Sequence, residues 1–201
     1  MSRLRYKRTH GVEGKEHSSG ESQQNGSNDP QRKVVDVEHF HQFLSNRYSS
    51  MSLELLNSVI TEAQKHYEFL GRRYKRKQHF YTMIYIFGSR KGDLTVGDIV
   101  DYFGITREEF WDSLRALKKV GYERSPDIDL LLARISRHCD ISNPTLLRSA
   151  LDTFRDAKIE SVLGAICYMI YGCDTWDLLG ISKPGVKYQV HNLSSSTLSG
   201  I

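Results

Sequence analysis

His79-Phe80-Tyr81-Thr82-Met83-Ile84-Tyr85-Ile86-Phe87-Gly88 is apolar on several faces rather than along one stripe. That pattern predicts a central helix packed by neighbours on most sides. The chain then reads Thr95-Val96-Gly97-Asp98-Ile99-Val100-Asp101-Tyr102-Phe103-Gly104-Ile105-Thr106 and enters Arg107-Glu108-Glu109-Phe110-Trp111. Thr95 and Thr106 each precede an acid by three residues, so their hydroxyls predict caps for helices starting at about Val96 and Arg107. The same order recurs in Val162-Leu163-Gly164-Ala165-Ile166-Cys167-Tyr168-Met169-Ile170-Tyr171-Gly172, followed by Asp174-Thr175-Trp176-Asp177-Leu178-Leu179-Gly180-Ile181-Ser182. Gly-Ile-Thr and Gly-Ile-Ser supply what a helix-turn-helix needs: a glycine for the positive φ of the turn and a hydroxyl to cap the next helix.

Outward from the first central helix, apolar residues recur at helical spacing. Phe40, Phe43 and Leu44 mark a helix over about Val37 to Tyr48; Leu53, Leu56, Ile60, Ala63, Tyr67 and Leu70 mark one over about Ser52 to Leu70. Phe110, Leu114, Leu117 and Val120 point inward from the helix that ends near Gly121. Ser125-Pro126 and Asn143-Pro144 fit a cap followed by proline at the first helical position. They precede stripes of Ile128, Leu131, Leu132 and Ile135, and of Leu146, Leu147, Ala150 and Phe154. No segment alternates with a strand's period for long enough to compete, so the expected fold is all-α.

Composition frames this reading. A chain of 201 residues with 39% hydrophobic residues can bury a core, yet residues 9–32 are almost free of aliphatic and aromatic side chains and predict a disordered tail. The expected organisation is a basic and polar tail over 1–35, one helical repeat over 36–122, a contracted repeat over 123–193 and a C-terminal tail over 194–201. The formal charge is +4, and its distribution matters more than its sum. Cys139, Cys167 and Cys173 are too few for a disulfide framework and too widely spaced for a zinc knuckle, which points to a reducing compartment. No apolar run spans a membrane, and residues 1–8 lack the apolar stretch of a signal peptide, so an intracellular protein without a membrane partner is expected.

The order of elements resembles the tandem cyclin-like repeats of the transcription factor IIB family, including the archaeal factor B proteins. The strongest local likeness is Met83-Ile84-Tyr85-Ile86-Phe87-Gly88-Ser89-Arg90-Lys91 followed by Thr95-Val96-Gly97-Asp98-Ile99, and the likeness extends over about Val37 to Leu193. It implies promoter DNA and the TATA-binding protein as partners, contact with RNA polymerase, and a cytoplasmic location in an archaeon or its virus or a nuclear one in a eukaryote. Three departures stand out. No Cys-x-x-Cys or Cys-x-x-His pair precedes the helices, so the family's polymerase-recruiting zinc ribbon is not expected and a regulator or competitor of a full-length factor is. The stretch Gly172 to Gly180 is shorter than Gly88 to Gly104. The terminal helix opening at Ser182-Lys183-Pro184-Gly185 is a weak one, since an interior glycine costs about 1 kcal/mol relative to alanine.

Gly71-Arg72-Arg73-Tyr74-Lys75-Arg76-Lys77 is the densest charge cluster. Cations there displace counterions from DNA with little base preference, whereas the alternative is a solvated loop. Thr106 and Arg107 open the first-repeat helix where a recognition helix would project, with Trp111 and Arg115 farther along an outer face. Their second-repeat equivalents are Ser182, Lys183, Lys187, Gln189 and His191, which the resemblance favours for major-groove reading; a helix pair used only for packing is the alternative.

Metal sites, cofactors and catalysis are not expected. His39 and His41 diverge on a helix without a nearby cysteine. His138-Cys139-Asp140 is a catalytic trio only on paper, because adjacent helical residues do not face each other, and no phosphate loop accompanies it. The rival of a different class is a cyclin-like scaffold that docks a kinase or another protein without binding DNA.

Overall fold

The computed structural model describes residues 35–154, 158–182 and 190–191, all within one compact unit. The described residues hold nine α-helices and no strand, which meets the all-α expectation. The expected tails lie outside the described residues except Val35, which is buried in the core rather than in a tail, and so do Lys183, Lys187 and Gln189.

Local chemistry sets the helix boundaries. Helix α1 (Val37–Ser45) is capped by Asp36, whose carboxylate accepts from the His39 N–H, and α2 (Leu53–Glu68) by Ser52, whose hydroxyl accepts from the Leu55 N–H. Phe40 and Leu44 on α1, and Leu56, Val59, Ile60 and Ala63 on α2, are buried; Leu53, expected inside, stands exposed at the first helical position. After the 3-10 turn Arg72–Tyr74 comes α3 (Lys77–Lys91), in which every residue from His79 to Ser89 is buried. Helices α2, α4 (Val96–Phe103) and α5 (Arg107–Lys118) pack around it. Both expected threonine caps form complete capping boxes, Thr95 with Asp98 and Thr106 with Glu109, and Gly104 ends α4 at φ +60°. Val120 is exposed because α5 stops two residues before it.

The second half comprises α6 (Ile128–His138), α7 (Thr145–Thr153), α8 (Ile159–Tyr171) and α9 (Trp176–Leu179). Two expected caps shift by a residue or two. Asp127, not Ser125, caps α6 through its carboxylate on the Leu130 N–H, and its own N–H donates to Ser89 at the end of α3 (2.7 Å). Pro144 lies just before α7 rather than inside it, while Asn143 still accepts from the Thr145 N–H at 3.0 Å. Leu146 is exposed because Leu147 takes the inward position of that turn.

Buried apolar residues form two clusters, one over Val35–Leu117 and one over Leu131–Ile181. The halves are joined most closely at α4. A Cβ on Gly97 in α4 would lie 1.8 Å from the Asp177 carbonyl oxygen in α9, and one on Gly180 would lie 2.6 Å from Val96 Cγ1, so these two helices meet backbone to backbone. Beside them, Arg134 of α6 is fully buried and grips Asp98 of α4 through two hydrogen bonds of 2.6 and 2.8 Å. Further donors of the same side chain reach the carbonyls of Asp93 (2.7 Å) and Arg47 (3.0 Å), so each nitrogen of the guanidinium has an acceptor in the interior.

The cysteine reading requires correction. Cys139, which caps the C-terminus of α6, is disulfide-bonded to Cys173 just beyond α8, with Cα atoms 5.6 Å apart. The pair is 34 residues apart in sequence, with α7 and α8 between them, and it ties the C-terminal end of α6 to that of α8. Cys167 remains free and buried, and burial pushes its thiol up to about 12.

Candidate nucleic-acid interface

The link between α2 and α3 is held by its aromatic residue. Leu70 and Tyr74 are buried, the Tyr74 N–H donates to the Gly71 carbonyl (2.8 Å), and the Tyr74 carbonyl accepts from His79 Nδ1 (2.8 Å). Alternation around those two anchors leaves Arg72, Arg73, Lys75, Arg76 and Lys77 all exposed. Arg73 stacks over the Tyr74 ring at 4.7 Å and bonds its hydroxyl at 2.7 Å, while Lys75 donates to the Glu68 carbonyl at 2.9 Å. Among the described residues none of the five cations has an ion-pair partner, and the side chains of Arg72, Arg76 and Lys77 make no hydrogen bond either. The cluster is therefore an exposed positive edge with Glu109 and Asp112 nearby but not ion-paired to it, and exposed cations of this density favour phosphate by counterion release.

A groove of about 490 Å³ runs beside this edge, lined by Arg73, Arg76, Gln78 and Lys119 but also by Glu109 and Asp112. Hydrogen bonds from the Thr106 backbone first, then from Gln78 and the Thr106 side chain, hold the Glu109 carboxyl below its ordinary range. The groove therefore mixes both signs of charge, and a polyanion meets uniformly positive side chains only along residues 72–77. Phe69, at the C-terminal end of α2, is 81% exposed next to the cationic link. An exposed ring beside cations is a stacking platform for a nucleobase, and the sequence pattern conceals it because Phe69 sits between Tyr67 and Leu70 of the apparent core stripe.

At the start of α5 both candidate residues have partners within the molecule. The Thr106 hydroxyl accepts from the Glu109 N–H as a cap, and Arg107 reaches Asp177 of α9 at 3.3 Å. Arg107 thus bridges to the second half of the molecule, while Thr106 stays exposed. Farther along α5, Trp111 lies between two cations: the Arg124 guanidinium is 5.5 Å and the Lys158 ammonium 5.2 Å from its ring centroid. Arg115 pairs with Asp112 one turn away. Of the second-repeat residues, Ser182 and His191 are exposed and described, and both engage neighbours.

His39 and His41 do not converge; His39 Nδ1 instead meets the Tyr102 hydroxyl at 3.2 Å. Among the described residues one cluster has metal-ligating chemistry: His138, Cys139 and Cys173. No described helix is long and apolar enough to cross a membrane. Compared with known proteins, the chain matches no family model, no curated sequence and no solved structure.

Proposed function

We propose that the chain is a DNA-binding transcription factor similar to the transcription factor IIB family, acting on promoter DNA with the TATA-binding protein as a regulator or competitor. The observation that carries the DNA part is the exposed cationic edge of Arg72, Arg73, Lys75, Arg76 and Lys77, anchored by the buried Tyr74 and preceded by the exposed Phe69. The TATA-binding protein and polymerase enter through the order of helical elements and its resemblance to that family. No catalytic role is proposed.

The test is a gel-shift titration with promoter DNA, with and without the TATA-binding protein, across a salt series. Replacing the five cations by glutamine is expected to weaken binding and to make the slope of log affinity against log salt shallower by about 0.9 for every phosphate no longer neutralised. Replacing Lys187 and Gln189 is expected to change preference among DNA sequences more than overall affinity. Equal affinity and slope in the five-fold variant, with helical content retained, overturns the reading.

One observation favours the scaffold reading instead. Leu146 on α7 and Tyr168, Met169 and Ile170 on α8 are all exposed, and apolar surface of this kind suits a protein partner better than a phosphate backbone. Binding of a cyclin-dependent kinase without DNA affinity in the same titration selects it.

A further inference from the structure

We propose that His138, Cys139 and Cys173 form a redox-gated site for a thiophilic divalent cation, with zinc as the expected metal. The disulfide is the closed, oxidised state of that site, and reduction opens it.

The ligand set comes from three places in the fold. Cys139 ends α6, Cys173 follows the left-handed Gly172 that ends α8, and His138 is the last residue of α6. One ring nitrogen of His138 and the two sulfurs lie within 4.8 Å of one another. Adjacent helical residues diverge, but Cys139 has left the helix (φ −101°, ψ 5°), which lets its side chain and that of His138 turn toward the same point. Two thiolates and one imidazole match the donor preference of zinc, which binds thiolate sulfur at about 2.3 Å and imidazole nitrogen at about 2.0–2.1 Å. All three residues are half-buried, so water or an exogenous anion can reach the fourth position.

Two features prepare the site independently of the disulfide. His138 bonds the Asp174 carbonyl through Nε2 at 3.0 Å. A carbonyl only accepts, so Nε2 donates there and Nδ1 is the nitrogen left to bind a metal; a backbone carbonyl on the distal N–H is also the partner that fixes metal-ligating histidines. The backbone is pinned on both sides by hydrogen bonds from Cys139 N–H to Ile135 (2.9 Å), Ile141 N–H to Ser136 (2.8 Å) and Cys173 N–H to Cys167 (3.1 Å). The two Cα atoms therefore hold near their 5.6 Å separation when the bridge opens, and side-chain rotation alone parts the sulfurs to admit a metal.

A phosphine reductant with water supplies two electrons and two protons, breaking the S–S bond to give two thiols and the phosphine oxide. Binding of the divalent cation displaces both thiol protons. Hydrogen peroxide takes the two electrons back, becomes water with two protons, re-forms the disulfide and releases the cation unchanged in oxidation state.

Cobalt(II) is the probe, added to the full chain carrying Cys167→Ser so that the third thiol cannot contribute. The phosphine-reduced protein is expected to bind one equivalent, with thiolate-to-cobalt charge-transfer absorption and tetrahedral d–d bands that zinc displaces. The peroxide-oxidised protein is expected to bind none. Cys139→Ser and Cys173→Ser are each expected to remove the charge-transfer band or halve it with a loss of affinity of roughly 100-fold, and His138→Asn to weaken binding by about 10- to 100-fold, the range known for disrupted zinc environments. Circular dichroism verifies that each variant keeps its helices, and a variant that unfolds is replaced by the corresponding alanine. Reduced protein without a charge-transfer band, equal cobalt binding in both redox states, or a His138→Asn variant with unchanged affinity overturns the proposal.

Discussion

Helix α3 is the third helix of the first half and α8 the third of the second, yet they are buried to different extents. In α3 everything from His79 to Ser89 is covered, aromatic and polar residues included. In α8 burial is confined to Glu160 and Val162–Cys167, and Tyr168, Met169 and Ile170 emerge into solvent. The difference follows from the neighbours: α3 is enclosed by α2, α4 and α5, whereas α8 packs on α7 and the four-residue α9. Hydrophobic sequence is therefore not equivalent to burial; the same pattern makes a closed core where later helices cover it and an apolar surface where they are too short to do so.

The largest expected effect tests whether the less covered half depends on the other. Arg134→Met removes the cation gripping Asp98 while leaving the carboxylate fully buried, and breaking a buried pair on one side costs about 3–5 kcal/mol. Asp98 retains the Thr95 N–H and hydroxyl and Arg47 Nε at 3.1 Å, which places the expected destabilisation at the lower end of that range. Chemical denaturation followed by circular dichroism measures it. A change below about 1 kcal/mol would mean that the halves are held by Gly97, Gly180 and apolar packing instead.

The next effect compares the two central helices directly. Ile84 is completely buried, so Ile84→Ala is expected to cost about 2–5 kcal/mol, the range for a large aliphatic residue truncated in a packed core. Ile170 is 52% exposed, and Ile170→Ala is expected to stay within about 0.5 kcal/mol. Equal destabilisation at the two positions would show that a partner surface, or another copy of the chain, covers α8 in solution.

Which parts were legible in the sequence follows from the range of the forces involved. Caps act over three residues, so Thr95-x-x-Asp98 and Thr106-x-x-Glu109 placed α4 and α5 to the residue. At Ser125-Pro126-Asp127 two capping residues competed, and the acid next to the first apolar position took the role. The exposed cations of the link were readable because charge density needs no tertiary context. The Cys139–Cys173 bridge, the Arg134–Asp98 pair and the Arg107–Asp177 pair join residues 34 to 70 positions apart, and no local pattern encodes such meetings. Phe69 was hidden for the opposite reason: it obeys the apolar pattern of α2 but falls where the helix ends.

The smallest effect is a dependence on pH that only the first half should show. Burial lowers the pKa of His79 from its ordinary 6.5; the bond from Nδ1 to the Tyr74 carbonyl opposes that shift, and nearby Arg76 reinforces it. The folded protein therefore keeps His79 neutral at a pH where the unfolded chain has begun to protonate it. Because the unfolded state then binds more protons, stability falls as pH drops below about 6.5 and levels off only below the folded pKa. His79→Asn places an amide donor near the position of Nδ1 and removes the titration, so the difference in denaturation midpoint between wild type and variant should shrink as pH falls through that window. The two tryptophans report the halves separately, Trp111 on α5 and Trp176 on α9, once Trp111→Phe and Trp176→Phe variants isolate each signal. If His79 acts as argued, its replacement flattens the acid sensitivity read at Trp111. An unchanged slope there would mean that His79 is solvated in the folded state, and that the enclosure of α3 is less complete at its first turn than along the rest of the helix.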